Sequence, residues 1–154
     1  MNPNKKFWKK KNVLITGHTG FKGGWLSSLL NYLESKVSGY ALNPEGKNNF
    51  FKSTRIKKTF VNDFRKDIIN LKDLKKSIKK TKPKIIFHLA AQSSVIESFK
   101  NSAKTMLTNV IGTANVLEAI KNDKNVKCLI IITTDKVYQN YKFKKYFDES
   151  SVLG

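Results

Sequence analysis

Short apolar runs alternate along the chain with longer stretches in which apolar residues recur every three or four positions, the pattern of parallel strands joined by crossover helices. NVLIT (Asn12 to Thr16), VSGYAL (Val37 to Leu42), TFVN (Thr59 to Asn62), IIFHLA (Ile85 to Ala90) and CLIIITT (Cys128 to Thr134) predict five strands. Phe21, Trp25, Leu26, Leu29, Leu30 and Leu33 predict a helix that lays this face on the sheet. Asn70 is placed to cap a second helix carrying Leu71, Leu74 and Ile78, with Asp73 in its first turn and Pro83 ending it. Met106, Leu107, Val110, Ala114, Leu117 and Ile120 form the stripe of a long helix over about Ala103 to Asn122. NPEGKNNFFKSTRIKK is a connection, and beyond Asp135 the period is lost. The expected class is α/β, a doubly wound parallel sheet ordered 3-2-1-4-5 and cut short after about five strands. Its fifth strand is then an exposed edge.

The 154 residues amount to one domain, expected over 12–154 behind a basic extension, 1–11. The net charge is +19, yet all but two of the thirty cations are lysines, the exceptions being Arg55 and Arg65. Lysine is a hydrated point charge, whereas base reading and bidentate phosphate clamping favour arginine, so a solvated lysine surface is preferred over a dedicated nucleic-acid patch. A lysine-rich module that associates with nucleic acid stays open as the rival class, and a small anionic ligand is compatible with either. One cysteine, Cys128, excludes a disulfide framework and points to a reducing compartment; it is expected as a small buried hydrophobe at the head of a strand. Apolar runs of about five residues cannot span a bilayer, and the lysine-rich start lacks the apolar core of a secretion signal. The expectation is a cytoplasmic protein.

The strongest chemical signal is Gly17-His18-Thr19-Gly20-Phe21-Lys22-Gly23, which leaves a strand and opens a helix. Gly17 allows the tight turn, Gly20 lets backbone approach a diphosphate, and Gly23 permits close helix packing, with the phosphates at the positive end of the helix dipole. Strand, spacing and amphipathic helix together predict a Rossmann-type dinucleotide site, the alternative being a purely structural turn. The acid that holds a ribose 2′-hydroxyl about 20 residues on is missing from the strand end Tyr40-Ala41-Leu42-Asn43, with Glu45 only just beyond, so NAD and NADP stay open on spacing. Asp63, just past the third predicted strand, is a candidate for adenine. His18 and His88 make a poor metal pair without carboxylates at ligand spacing; His18 is expected to line the phosphate turn and His88 to satisfy a core hydrogen bond. Thr133, Thr134, Asp135 and Lys136 sit at the carboxyl end of the fifth strand, where ligands of open α/β sheets bind.

TGHTGFKG followed by WL, then GYAL, HLAAQ, TNVIGTANVLEA and TTDKVYQN, closely resembles the N-terminal half of the CDP-glucose 4,6-dehydratases, members of the extended short-chain dehydrogenase/reductase superfamily. The resemblance covers nearly all of 12–154 and implies an internal redox cycle: NAD takes hydride from C4 of the glucose, water leaves across C5 and C6, and hydride returns to C6. The implied product, CDP-4-keto-6-deoxyglucose, feeds surface-polysaccharide deoxy sugars. Carried over by position, Gly17, Thr19, Gly20, Phe21, Lys22 and Gly23 would cradle the NAD phosphates, and Asp63 and Phe64 would meet adenine. Leu89, Ala90, Ala91 and Gln92 would line the ribose and nicotinamide path, with Asn109 bracing the site. Thr134 would hydrogen-bond the sugar near O4, and Asp135 would help expel the 6-hydroxyl. Lys136 stands where dTDP-glucose relatives carry a glutamate base, and must lose its own proton to serve as one. The family's Tyr-x-x-x-Lys pair has no counterpart on a helical pattern here, since Tyr138 with Lys142 and Tyr141 with Lys145 match by spacing alone. The expectation is therefore a truncated dehydratase without its substrate domain, from a family that is usually homo-oligomeric; another sugar-nucleotide epimerase or reductase is the nearer alternative.

Overall fold

The computed structural model describes residues 4–44, 46, 49–134, 136–139 and 146–154. Five parallel strands, β1 (Asn12–Thr16), β2 (Lys36–Ala41), β3 (Asn62–Arg65), β4 (Ile85–His88) and β5 (Cys128–Ile131), form one sheet in the order β3-β2-β1-β4-β5. The order, the parallel sense and the class are those expected. The helices are α1 (Lys5–Trp8), α2 (Phe21–Tyr32), α3 (Phe50–Ser53), α4 (Leu71–Thr81), α5 (Val95–Lys100), α6 (Ser102–Met106) and α7 (Gly112–Ile120). A π-helical turn, Leu107–Ile111, joins α6 to α7, and a 3₁₀ turn, Ile56–Thr59, precedes β3.

Alternation along β1 divides the core between the two faces of the sheet. Leu14 joins Tyr40, Ile86, Leu74, Ile78 and Val116 under α4 and α7. Val13 and Ile15 join Val37 and Leu30 under α2, with Trp8 of α1 against them. The expected basic extension thus carries a packed helical turn, and Lys5 and Lys9 lie 2.8 and 3.0 Å from the Glu34 carboxylate. Asn70 caps α4 by accepting from the Asp73 N–H at 3.0 Å, and Lys82, in the left-handed region, closes it.

The structure corrects several expectations. The third strand begins at Asn62, three residues later than TFVN suggested, because Ile56–Thr59 winds into the 3₁₀ turn and Phe60 packs beside the His18 ring. Asp63 therefore lies within β3. Only part of the apolar stripe of α2 faces the sheet: Leu30 and Leu33 are buried and Leu26 packs on the core, whereas Phe21 and Trp25 are 69% and 56% exposed and Gly23, Gly24 and Ser27 are buried in their place. Small residues let this helix sit against the turn, and the displaced aromatics pack on Phe50 instead. The last helix rotates likewise, burying Gly112 and Val116 and exposing Met106, Leu107, Val110 and Leu117. Cys128 is exposed, since β5 is the sheet edge. Among the described residues no helix is long and apolar enough to cross a membrane.

Candidate dinucleotide site

Parallel register brings the carboxyl ends of β1, β2 and β4 to one rim, with Thr16 level with Tyr40 on one side and His88 on the other. The glycine turn leaves this rim. Gly17 has φ +74° and donates its N–H to Tyr40 O at 2.9 Å; a Cβ there would lie 2.7 Å from Ala90 N and Leu89 C. Gly20 donates to Gly17 O at 3.0 Å and precedes α2, whose first turn no side chain caps. A Cβ on exposed Gly20 would meet only Gly17 O, at 3.3 Å. The turn thus presents uncapped N–H groups beside an open glycine, an arrangement that fits a diphosphate. Gly23 has the structural task expected of it: its Cβ would fall 2.3 Å from Gly17 O and 2.8 Å from His18 Cα. The Thr19 hydroxyl donates to Leu42 O at 3.2 Å, tying the turn to the end of β2, and the Phe21 and Lys22 side chains are exposed.

His18 turns away from this rim. Its ring is buried against Phe51 and Phe60, and its Nε2–H donates to Asp63 Oδ1 at 2.9 Å. Burial holds its pKa down to about 4, so it is neutral. Any contact it makes with a ligand on the rim goes through its main chain. The second Asp63 oxygen accepts from Arg65 at 2.7 Å, and Phe64 packs against the core 6.4 Å from the Tyr40 ring.

At the end of β4, one hydrogen-bond chain fixes the next segment. The N–H groups of Leu89 and Ala90 both donate to Thr16 Oγ1 at 3.2 Å. Thr113 Oγ1 lies 3.0 Å from His88 Nε2 and donates to Asn109 O at 2.7 Å. That assigns the proton to His88 Nε2 and leaves Nδ1 to accept from Thr16 Oγ1 at 2.6 Å. His88 must be neutral for this chain to close, and burial lowers its pKa to about 4. This is the core hydrogen bonding expected of His88. Asn109, inside the π-helical turn, receives Gln92 N–H at 2.7 Å and donates to Gln92 O at 2.9 Å, while Gln92 Nε2 reaches Thr105 at 3.0 Å. Ala91 is exposed just before it. Asn109 thus braces this loop through its side-chain amide. Thr16 and Thr113 were not singled out in the sequence, where their signal is a hydroxyl interrupting an apolar run.

Thr133 and Thr134 follow β5 and are exposed, and Thr134 Oγ1 accepts from Lys136 N–H at 3.1 Å. The Lys136 side chain is exposed, so the described residues do not supply the burial that a base role calls for. Asp135 and Glu45 lie outside the described residues, as do Tyr141, Lys142 and Lys145. No group of three or more His, Cys, Asp or Glu side chains among the described residues is gathered as for a metal.

The model of the family described as GDP-mannose 4,6 dehydratase matches residues 14–153. The chain belongs to that family. It is 38% identical to a CDP-glucose 4,6-dehydratase of Salmonella typhimurium over 151 residues, covering 98% of this chain and 42% of the relative. A dTDP-glucose 4,6-dehydratase of Haemophilus influenzae is 30% identical over 66% of this chain and 30% of the relative. The chain thus spans less than half the length of these curated relatives. A UDP-glucose 4-epimerase structure from Stenotrophomonas maltophila, bound to NAD and a formylated UDP-arabinopyranose, superposes with a TM-score of 0.78 at 23% identity, over 94% of this chain and 43% of that one. One from Brucella ovis in complex with NAD gives 0.77 at 23% identity, over 94% and 42%. These structural likenesses concern the fold.

Proposed function

We propose that the chain supplies the dinucleotide-binding part of a 4,6-dehydratase that acts on CDP-glucose with NAD. The glycine turn carries this reading: Gly17 in the left-handed region, Gly23 against the turn and open Gly20 before an uncapped helix suit a diphosphate. Support for the substrate comes from the 38% identity to the Salmonella CDP-glucose enzyme. Gly17, Thr19, Gly20, Phe21, Lys22 and Gly23 hold the phosphates, with His18 joining through its main chain. Asp63 and Phe64 flank the adenine, Leu89 to Gln92 and Thr133 line the path to the nicotinamide, and Asn109 keeps Gln92 in place. When bound, the cofactor supplies a hydride acceptor and donor. Thr134 holds the sugar near O4 and Asp135 gives a proton to the departing 6-hydroxyl, while Lys136 stands where the C5 proton leaves and would need a buried setting, which the described residues do not supply, to accept it.

The rival reading, a module that binds polyanions, rests on the net charge of +19. Thermal melting of the chain separates the two. The dinucleotide reading expects saturable stabilisation by NAD; stabilisation only by duplex DNA, falling steeply with salt, would overturn it. No helix among the described residues carries a Tyr-x-x-x-Lys pair, so the chain should bind the dinucleotide and give no 4-keto sugar from CDP-glucose. Turnover by this chain unaided contradicts the need for that pair.

A further inference from the structure

The outer face of α2 carries the large side chains of that helix. Phe21, Trp25, Leu29 and Tyr32 fall on one stripe, and all four are exposed, Tyr32 by 75%. Apolar side chains exposed singly mean little, but a contiguous row marks a surface made for contact. α1 extends the row. The Lys5 ammonium lies 5.7 Å from the centre of the Tyr32 ring, and exposed Phe7 has the Lys11 ammonium 3.2 Å from its ring centre. The Ser35 hydroxyl donates to Trp8 O at 3.0 Å and Lys10 N–H donates to Glu34 O at 2.8 Å, so α1 is fixed beside the carboxyl end of α2.

Charge selects the occupant. Lys5, Lys6, Lys9, Lys10 and Lys11 crowd this end of the face, and the one acid in residues 1–36 is Glu34, already paired with Lys5 and Lys9. A second copy related by a two-fold axis would set these lysines against their own image, so the face is unsuited to itself. Duplex nucleic acid answers the charge and offers nothing to the row of apolar side chains. An anionic phospholipid surface answers both. Tyrosine and tryptophan rings settle at headgroup level, lysine stems lie along apolar surface with the ammonium among the phosphates, and the attraction follows the surface potential. Such a surface asks for charge and not for a bidentate fork, which suits a chain whose cations are nearly all lysine.

We infer that the face made by α1 and α2 docks on a bilayer rich in anionic phospholipid, with Phe7, Trp25, Leu29 and Tyr32 at headgroup level and the lysines of α1 and its flank against the phosphates. Phe21 belongs to the proposed dinucleotide site and is left out, and the inference does not depend on that site. The whole chain, at about 100 mM salt, should sediment with vesicles of phosphatidylglycerol and phosphatidylcholine in equal parts and stay in solution with phosphatidylcholine alone. Each lysine at such a surface strengthens binding about fivefold, so Lys6→Gln with Lys10→Gln, both exposed, should weaken it by about tenfold or more. Lys76→Gln with Lys79→Gln removes the same charge from the exposed side of α4, across the sheet, and should change binding by about twofold or less. Leu29→Glu with Tyr32→Glu should abolish it, with thermal melting as the check on folding. Fluorescence should shift to the blue on the anionic vesicles, and Trp25→Phe should remove the shift. Absence of binding to those vesicles, equal weakening by the α1 and α4 pairs, or an unmoved Trp25 emission would overturn the inference. So would lipid-free self-association that Leu29→Glu with Tyr32→Glu abolishes, which gives the face to a second copy, or binding of duplex DNA in its place that the α1 pair weakens.

Discussion

Substituting alanine at Gly20 and at Gly23 separates the ligand-facing part of the turn from its structural part. At Gly23 the new methyl would stand 2.3 Å from Gly17 O, 2.8 Å from His18 Cα and 2.9 Å from Gly17 C. All three are backbone atoms, so α2 or the turn itself must move. Overpacking of this kind costs about 1–3 kcal/mol, and the better helix propensity of alanine returns about 0.5–1 kcal/mol. In a domain of this length the net loss lowers Tm by about 2–8 °C. At Gly20 the backbone is extended, with φ −75° and ψ 169°, which alanine adopts freely, and the methyl meets one atom at 3.3 Å. Poorer capping costs about 0.5–1 kcal/mol, so the Gly20→Ala chain should melt within about 4 °C of the parent. Its methyl, however, enters the space a diphosphate must occupy, and dinucleotide affinity should fall at least tenfold. Scanning calorimetry and isothermal titration on both variants give the four numbers. Undiminished binding by Gly20→Ala would refute the placement of the diphosphate, and parental stability of Gly23→Ala would refute the close approach of α2 to the turn.

Acid should destabilise the fold through its two buried histidines. Each has a folded-state pKa near 4 against 6.5 when exposed, both lowered chiefly by burial. The unfolded chain therefore takes up these protons first, so the stability is fully present above about pH 6.5 and is lost as pH falls through 4, at about 1.4 kcal/mol per pH unit for each ring. Urea midpoints between pH 7 and 4 should show this slope, and His88→Gln, whose amide can donate and accept, should roughly halve it; coincident curves would mean that His88 is not held neutral. The apolar face over α5 to α7, with Phe99 85% exposed beside Met106, Leu107, Val110 and Leu117, should drive self-association, in keeping with the homo-oligomer implied for the family. Light scattering at about 100 μM should find a dimer or larger that Leu107→Lys with Val110→Lys reduces to monomer at unchanged Tm, and a parental monomer contradicts the expectation.

What could be read from the sequence follows from what each position has to satisfy. β1 and β4 lie in the middle of a sheet covered on both faces, so NVLIT and IIFH are continuous apolar runs and announce themselves. β3 is the opposite edge, and its NDFR carries no such run; the nearby apolar pair Phe60-Val61 drew the expected strand three residues too early. The outward position of Phe21, Trp25 and Leu29 on α2, and the orientation of α7, were not legible because hydrophobicity does not weigh size. Gly23, Gly24, Ser27 and Gly112 win the buried face by letting helices come close, and the Ile68 methyl sits 2.6 Å from where a Gly112 Cβ would be. The turn itself was legible because backbone conformation, which glycine spacing reports directly, makes it. The bracing of Gln92 was not legible from spacing, since it links β1, β4 and the π-helical turn through hydroxyls far apart in the chain.

Asp63 brings these threads together. By resemblance it is an adenine contact, yet its two oxygens are engaged within the fold, one by His18 of the turn and one by Arg65 at the end of β3. The His18 ring reaches it by crossing β2 at Gly39, where a Cβ would lie 2.4 Å from the imidazole, so a glycine in the middle of a strand is required by a histidine twenty-one residues earlier. A neutral imidazole donates to the carboxylate without cancelling its charge, and that charge is then free to orient the guanidinium. The same carboxylate therefore ties the glycine turn, through the His18 ring, to Arg65 at the end of β3. An adenine contact at Asp63 would use lone pairs left over from that task.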